Sequence, residues 1–303
     1  MALSPLALRY DQFILDLDGS VWIGDEPTPG VLDALEQLRQ AGKRIAYATN
    51  DPRSATEDYV TRLWRIGIRA SLRDVVTVGG ATQHLLAETR SGRTAFVIGT
   101  ESLRKHVADA GCRLLNGTDL ASRAEVVVVG AGMLGASAAY RLALAGQQGL
   151  VTTVGEGIAP ESDVAVMAIL GYDPTTYHVG RGPLEARRGA DFLATARDPT
   201  YPQPDGLWPG TGAILAAVEV ASGRKATIIG KPEPQLLLTA LDRLGEGRTL
   251  VVGDRIDTDL GAAAAAGLDS ALVLSGGARR EDVDGLEPAP VAVEDTLAQL
   301  LVS

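Results

Sequence analysis

Two aspartates, one residue apart, end an apolar run: Phe13-Ile14-Leu15-Asp16-Leu17-Asp18-Gly19-Ser20. That spacing turns both carboxylates the same way wherever the chain stays extended. Two carboxylates so close repel each other unless a cation or a shared proton separates them. Magnesium meets the need, because it takes one or two carboxylates, keeps several waters and binds substrate phosphate. A second polar group stands at Thr49-Asn50-Asp51, where a hydroxyl, an amide and the start of a following helix suit a phosphate. Lys231 precedes Pro232, and Gly253-Asp254-Arg255-Ile256-Asp257-Thr258-Asp259 follows another apolar run. Each stretch also has a plainer reading. Asp-Gly makes a strand-ending turn, Asn50 or Asp51 caps a helix, and lysines are mostly surface groups. Asp257 reads best as an acid favoured at a helix N-terminus, and Arg255 as an ion-pair partner.

These residues need elements that bring them to one place. A continuous apolar run such as Phe13–Leu15 reads as a strand covered on both faces. Val21-Trp22-Ile23-Gly24-Asp25 reads as a flap or hairpin, with Trp22 either packed or brushing a substrate. Val31, Leu32, Leu35 and Leu38 mark one face of a helix ended by Gly42. Ile45–Asn50 is a second strand, and a helix carrying Tyr59, Leu63 and Ile66 stops at Gly67. This βαβα rhythm predicts a parallel sheet, and open α/β sheets bind ligands beyond the carboxyl ends of their strands. The centre, about Gly92 to Tyr201, has its own pattern: strands at Thr94–Ile98, Glu125–Val129 and Asp191–Thr195, and a helix at Leu103–Ala110. The end returns to the first rhythm, with helices at Gly212–Ser222, Pro234–Leu244 and Leu260–Ala266. Its strands are expected at Ala226–Gly230, Thr249–Val252 and Ala271–Leu274. The expected fold is α/β: a Rossmann-like parallel-sheet core, residues 1–82 and 206–303, with an inserted α/β domain, residues 83–205.

Composition narrows the partners. The 303 residues are 46% hydrophobic and 22% charged, with a formal net charge of −10. That is a globular composition long enough for two domains. The acidic balance argues against nucleic acid and against a basic membrane face. An anionic substrate stays open, since a bound metal reverses the local field. A single cysteine, Cys112, allows no disulfide within the chain, which fits a cytoplasmic location. The first residues lack a signal-peptide pattern, and no uninterrupted apolar span reaches membrane length. Assembly into a homo-oligomer is compatible with all of this.

The ordered set Asp16 and Asp18, Thr49, Lys231, then Asp254 and Asp259 resembles the haloacid dehalogenase-like hydrolases. The position of the inserted domain, between Thr49 and Lys231, resembles the class IIA branch with its large α/β cap. Gly171-Tyr172-Asp173-Pro174-Thr175-Thr176-Tyr177 and Asp198-Pro199-Thr200-Tyr201-Pro202 resemble cap segments of glycerol-phosphate, phosphoglycolate and nitrophenyl-phosphate phosphatases. The resemblance implies a Mg2+-dependent phosphatase acting on a small phosphorylated metabolite through an aspartyl-phosphate. Asp16 would be the nucleophile, and Asp18 would protonate the leaving oxygen and then activate water. Asp16, Asp254 and the main-chain carbonyl of Asp18 would hold the metal. Thr49, Lys231 and the Asn50 backbone amide would hold the phosphoryl group, with Asp259 orienting Lys231 or a metal-bound water.

The chain departs from that family in two places. Where members often carry Thr-Asn before the Asp of the cap loop, this chain has Thr195-Ala196, leaving Arg197 and Asp198 as candidate substrate contacts. Further, Val126–Val129 runs into Gly130-Ala131-Gly132-Met133-Leu134-Gly135, a G-x-G-x-x-G. A helix-like run Ala136–Ala145, a strand-like Leu150–Val154 and Glu156 follow. That pattern resembles the first unit of a dinucleotide-binding fold, especially of a flavin-dependent amine oxidase. One such unit is about thirty residues, whereas that fold needs two βαβαβ halves. The alternatives to a phosphatase are thus an FAD- or NAD-binding redox protein using Gly130, Gly132 and Gly135, or a catalytically weak binding module.

Overall fold

A computed structural model describes residues 2–51, 54–116, 124–130, 190–198, 200–203, 206–209 and 211–303. Gly132, Gly135, the expected elements between Ala136 and Glu156, and the segment Gly171–Tyr177 lie outside the described residues. The leading part of the chain forms β1 (Gln12–Asp16), α1 (Val31–Gln40), β2 (Arg44–Thr49), α2 (Thr56–Arg65), β3 (Val75–Thr77) and α3 (Val78–Arg90). The middle forms β4 (Thr94–Ile98), α4 (Glu101–Asp109), β5 (Arg113–Leu114), β6 (Val126–Val129), β7 (Asp191–Ala194), α5 (Thr211–Ser222) and β8 (Thr227–Ile228). The end forms α6 (Gln235–Leu244), β9 (Thr249–Gly253), α7 (Gly261–Ala265), β10 (Asp269–Val273), β11 (Val293–Glu294) and α8 (Leu297–Leu301). No helix among the described residues is long and apolar enough to cross a membrane.

The chain divides into two compact units, Met1–Ala81 with Ile229–Ser303, and Thr82–Ile228. The first contains a six-stranded sheet in the order β11-β10-β9-β1-β2-β3, in which every pairing is parallel; a short antiparallel hairpin, Trp22–Ile23 with Glu26–Pro27, stands apart from it. β1 lies inside it because it is apolar on both faces. Phe13 and Leu15 point into one core cluster, while Ile14, equally buried, points the other way. α1 lays Val31, Ala34, Leu35 and Leu38 against the Phe13 face, the i, i+3, i+4, i+7 stripe of an amphipathic helix. Leu35 is fully buried there, so Leu35→Ala costs about 2–5 kcal/mol. α1 and α2 both stop on a left-handed glycine, Gly42 with φ 71° and Gly67 with φ 90°. In each case the next residue's N–H reaches back to the final turn, Lys43 to Leu38 at 2.9 Å and Ile68 to Leu63 at 2.8 Å.

The second unit has a five-stranded parallel sheet in the order β8-β7-β6-β4-β5. Here the expected boundary at 205/206 needs correction to 228/229. α5 packs Leu215 and Val218 on Val127, Val129 and Phe192 of this sheet, and β8 pairs with β7 through Thr227 opposite Leu193. A helix followed by a strand has the same rhythm in either unit. Only the tertiary pairing decides which sheet it joins. Gly130 closes β6 at a crowded point, where a Cβ would lie 2.3 Å from the Leu103 side chain. Close packing therefore accounts for this first glycine of the G-x-G-x-x-G.

Candidate active site

Within the first unit, parallel pairing brings the carboxyl ends of β1, β2 and β9 side by side: Asp16 lies opposite Ala48, and Leu15 opposite Val252. Asp16 ends β1, Thr49 ends β2 and Asp254 follows β9, so residues far apart in sequence share one edge. Lys231 enters from the segment before α6 and is 4% exposed. Its Nζ donates to Asp16 Oδ1 and, at 2.5 Å, to Asp259 Oδ1. Burial works against the ammonium's charge, but Asp16 and Asp259 outweigh it and hold the lysine pKa up. The lysine main chain is fixed as well. Asn50 Oδ1 accepts from Lys231 N–H at 2.7 Å, and Asn50 Nδ2 donates to Lys231 C=O at 2.8 Å. The Asn50 side chain is thus spent on Lys231 rather than on a helix cap.

Asp16, Asp254 and Asp259 each offer a carboxylate oxygen within 4.8 Å of the others. At that separation and an effective dielectric of about 20, each like-charge pair costs about 3.5 kcal/mol. One ammonium among three carboxylates leaves a formal charge of −2. Burial pushes the Asp16 carboxyl pKa up; Lys231 pulls it down, and Asp259 and Asp254 push it up again. Burial, then Asp259, pushes Asp254 up to about 6. Asp254 Oδ2 accepts from Gly277 N–H at 2.6 Å, while its Oδ1 is buried with no hydrogen-bond partner. A buried acceptor left unmade costs about 1–3 kcal/mol, and a cation is what the oxygen lacks. Glycines clear the space: a Cβ on Gly19, whose φ is 89°, would lie 2.5 Å from Asp254 Oδ2, and one on Gly276 2.0 Å from it. Oxygen donors, excess negative charge and an unpartnered buried oxygen all fit a hard divalent ion.

Asp18 points elsewhere. Its side chain is 59% exposed, and its Oδ1 accepts from Trp22 Nε1 at 2.7 Å. Trp22 itself is fully buried, stacked on Tyr59 with ring centroids 6.5 Å apart and capped by the Arg62 guanidinium at 4.1 Å. Of the two roles open to it, Trp22 takes the packed one, and it also holds Asp18. The Thr49 hydroxyl is buried and accepts from Asp51 N–H at 3.1 Å. Asp259 Oδ2 accepts from Arg255 N–H at 3.1 Å, which pins the carboxylate beneath Lys231. Arg255 pairs with Asp257 at 3.1 Å, the structural role expected of it.

The second unit holds Arg197 and Asp198. Arg197 clasps Glu219 with both terminal nitrogens, at 2.7 and 3.0 Å, so its guanidinium is committed to a structural pair. The Asp198 carbonyl accepts from Gly212 N–H at 2.8 Å. Sequence reasoning missed Ser275-Gly276-Gly277, which wraps the Asp254 carboxylate and through Ser275 Oγ donates to the Gly19 carbonyl at 2.6 Å. The signal was there: a small, glycine-rich turn directly after β10, on the same sheet edge.

Comparison with known proteins agrees with this geometry. A family model described as haloacid dehalogenase-like hydrolase matches residues 13–113, and a HAD-hydrolase-like model matches residues 228–300. A third, of 2,3-bisphosphoglycerate-independent phosphoglycerate mutase, matches residues 143–195. The chain belongs to the haloacid dehalogenase-like hydrolases, in their class IIA branch. It is 32% identical to the D-glycerol 3-phosphate phosphatase of Mycobacterium tuberculosis over 90% of its own length and 65% of that protein's. It is 32% identical to human chronophin over 93% of its length and 86% of that protein's. The solved structure of a glycerol phosphate phosphatase from M. tuberculosis in complex with magnesium matches with a TM-score of 0.76 at 30% identity, covering 99% of this chain and 78% of that one.

Proposed function

We propose that this chain is a Mg2+-dependent phosphatase that hydrolyses a small phosphomonoester, of the glycerol phosphate or phosphoglycolate class, through an aspartyl-phosphate. The observation that carries the reading is Lys231 bridging Asp16 and Asp259 beside an Asp254 oxygen with no partner. The similarity to a glycerol phosphate phosphatase solved with magnesium supports the metal and the substrate class. Asp16 and Asp254 would supply carboxylate oxygens to the ion, with the Asp18 carbonyl as a further ligand. When bound, magnesium would neutralise charge on the phosphoryl oxygens.

An Asp16 oxygen attacks phosphorus, the bond from phosphorus to the ester oxygen breaks, and Asp18 gives that oxygen its proton. Asp18, now a carboxylate, takes a proton from water as the water attacks the aspartyl-phosphate. Inorganic phosphate leaves and the Asp16 carboxylate is restored. Lys231 and Thr49 hold phosphoryl oxygens, where charge spreads in the transition state. Asn50 contributes its backbone amide and keeps Lys231 aimed. Asp259 keeps the ammonium charged and oriented. By resemblance to the class IIA branch, the inserted unit would be the part of the chain that selects the substrate.

The test is phosphate release from glycerol 3-phosphate, phosphoglycolate and p-nitrophenyl phosphate, with magnesium and with chelator. Turnover in magnesium that vanishes in chelator is expected. A folded protein inert on all three in magnesium rejects the phosphatase reading. Full turnover after verified metal removal rejects the metal.

A further inference from the structure

A cavity of about 470 Å3 opens in the first unit at the amino end of β2, lined by Arg39, Lys43, Arg44, Arg73 and Arg243. That volume is in the range of small-molecule sites. Five cations gathered in one cavity are unexpected in a chain of net charge −10. Among the described residues the only acid lining it is Asp74, whose Oδ2 already accepts from Ser71 N–H at 2.7 Å and Ser71 Oγ at 2.9 Å.

Four of the five cations are held in place by carbonyls rather than neutralised by carboxylates. Arg39 donates to Arg69 C=O, and Arg44 donates to Leu244 C=O and Glu246 C=O. Lys43 donates to Tyr10 C=O at 2.5 Å, and Arg243 donates to Val75 C=O at 2.7 Å. Among the described residues none of the five forms a salt bridge with a carboxylate, and Arg73 has no side-chain partner at all. Burial, then the charge of Arg73, lowers the Arg243 pKa. Carbonyl anchoring fixes the guanidinium forks in a preformed array, and such forks match phosphate oxygens. Tyr47 adds a hydroxyl that already accepts from Arg39 at 3.1 Å and so has its own proton to donate. Ile45 and Leu244 add apolar wall.

We propose that this cavity is a second anion site, taking a ligand with a chain of two or more phosphates, either a nucleoside di- or triphosphate or a free polyphosphate. It is not the carboxylate cluster seen from behind. Arg44 starts β2 and Thr49 ends it, so the two sites lie about 16 Å apart along that strand. The inference stands independently of the phosphatase reading.

The test uses the full chain, with ATP and inorganic tripolyphosphate as probes, titrated calorimetrically in chelator. Saturable binding of one equivalent is expected, weakened at least about tenfold by Arg73→Glu and by Arg73→Ala, and kept by Arg73→Lys and by Asp16→Asn. Arg73 is exposed and has no partner among the described residues, so its variants should fold, which thermal melting checks. Tighter binding of ATP identifies the nucleotide, and equal binding identifies the bare polyphosphate chain; both support the site. No binding at millimolar probe overturns the proposal. So does binding that ignores Arg73→Glu, or binding that Asp16→Asn abolishes, since either places the anion elsewhere.

Discussion

Two ion clusters in this protein, each built around a buried charge, are near mirror images. In the first unit a cation, Lys231, sits among the carboxylates of Asp16, Asp259 and Asp254. In the second a carboxylate, Glu219, sits among donors: Arg197 at 2.7 and 3.0 Å, Lys225 at 2.8 Å and Ala226 N–H at 3.0 Å. Both central groups are almost wholly buried. The difference is in the remainder. Glu219 is fully met, and its pKa is lowered to about 2, chiefly by the Arg197 hydrogen bonds. The Lys231 cluster is left with excess negative charge and an unpartnered Asp254 oxygen. A satisfied cluster contributes to holding a fold. An unsatisfied one is costly in isolation and gains its partners from what it binds.

The hardest test of that contrast is Asp16→Asn. The two side chains have nearly equal volume, and the substitution removes one of three mutually repelling charges. Turnover should fall by about 10⁴-fold or more, as for loss of a covalent nucleophile, while the melting temperature does not drop. A folded Asp16→Asn protein with near-normal phosphate release would end the covalent mechanism.

Asp254→Asn removes a charge without removing the shape. A loss of about 10²–10³-fold in turnover is expected, with a higher magnesium requirement. Gly276→Ala attacks the same carboxylate sterically, because the new Cβ would lie 2.0 Å from Asp254 Oδ2. It should cost about 10–100-fold, again with a higher magnesium requirement. Magnesium titrations of both variants check this. An unchanged half-saturating concentration would separate Asp254 from the metal.

The Glu219 cluster should answer in the opposite currency. Glu219→Gln leaves Arg197 and Lys225 without their counter-charge, and should cost about 1–3 kcal/mol of stability with turnover nearly unchanged. The pH dependence has a definite sign. The folded pKa of about 2 lies below the unfolded value of about 4.3, so the stabilisation is complete above the unfolded value. It is lost as pH falls toward the folded value. The melting-temperature gap between wild type and Glu219→Gln should therefore be constant above about pH 5.5 and shrink below about pH 4. A gap that widens in acid would contradict the assignment. Should Arg197→Ala raise KM sharply with unchanged stability, Arg197 would instead be a substrate contact.

Much of this was legible beforehand because strand ends announce themselves. Apolar runs at Phe13–Leu15 and Thr249–Val252 stop at acids, and parallel pairing needs only that rhythm to put the acids on one edge. What stayed hidden depends on tertiary partners. No local pattern says that Asn50 grips the Lys231 main chain, or that Thr211–Ile228 joins the inserted unit. Arg197 read as a substrate contact because its partner Glu219 lies 22 residues on, in a helix whose sheet could not be assigned from rhythm. Glycine was similarly ambiguous. Gly276 clears room for a carboxylate, while Gly130 clears room for a leucine, and both look alike in sequence.

The smallest expected effect sharpens the boundary between packing and chemistry. Trp22 is buried like any core residue, yet its Nε1–H is spent on the exposed Asp18 at 2.7 Å. Packing alone would be kept by Trp22→Phe to within the lost ring volume. The hydrogen bond would not, and one neutral donor to a carboxylate is worth about 1–2 kcal/mol. If Asp18 must be aimed to pass its proton, kcat should fall about five- to thirtyfold. KM should stay nearly constant, because the phosphoryl contacts proposed for Thr49 and Lys231 would be untouched. Leaving-group dependence gives the separate readout. An alkyl phosphate, whose alkoxide needs protonation, should lose more than p-nitrophenyl phosphate, whose phenolate leaves more readily. Equal losses on both substrates would mean that Trp22 supports the fold near Asp18 without positioning it for proton transfer.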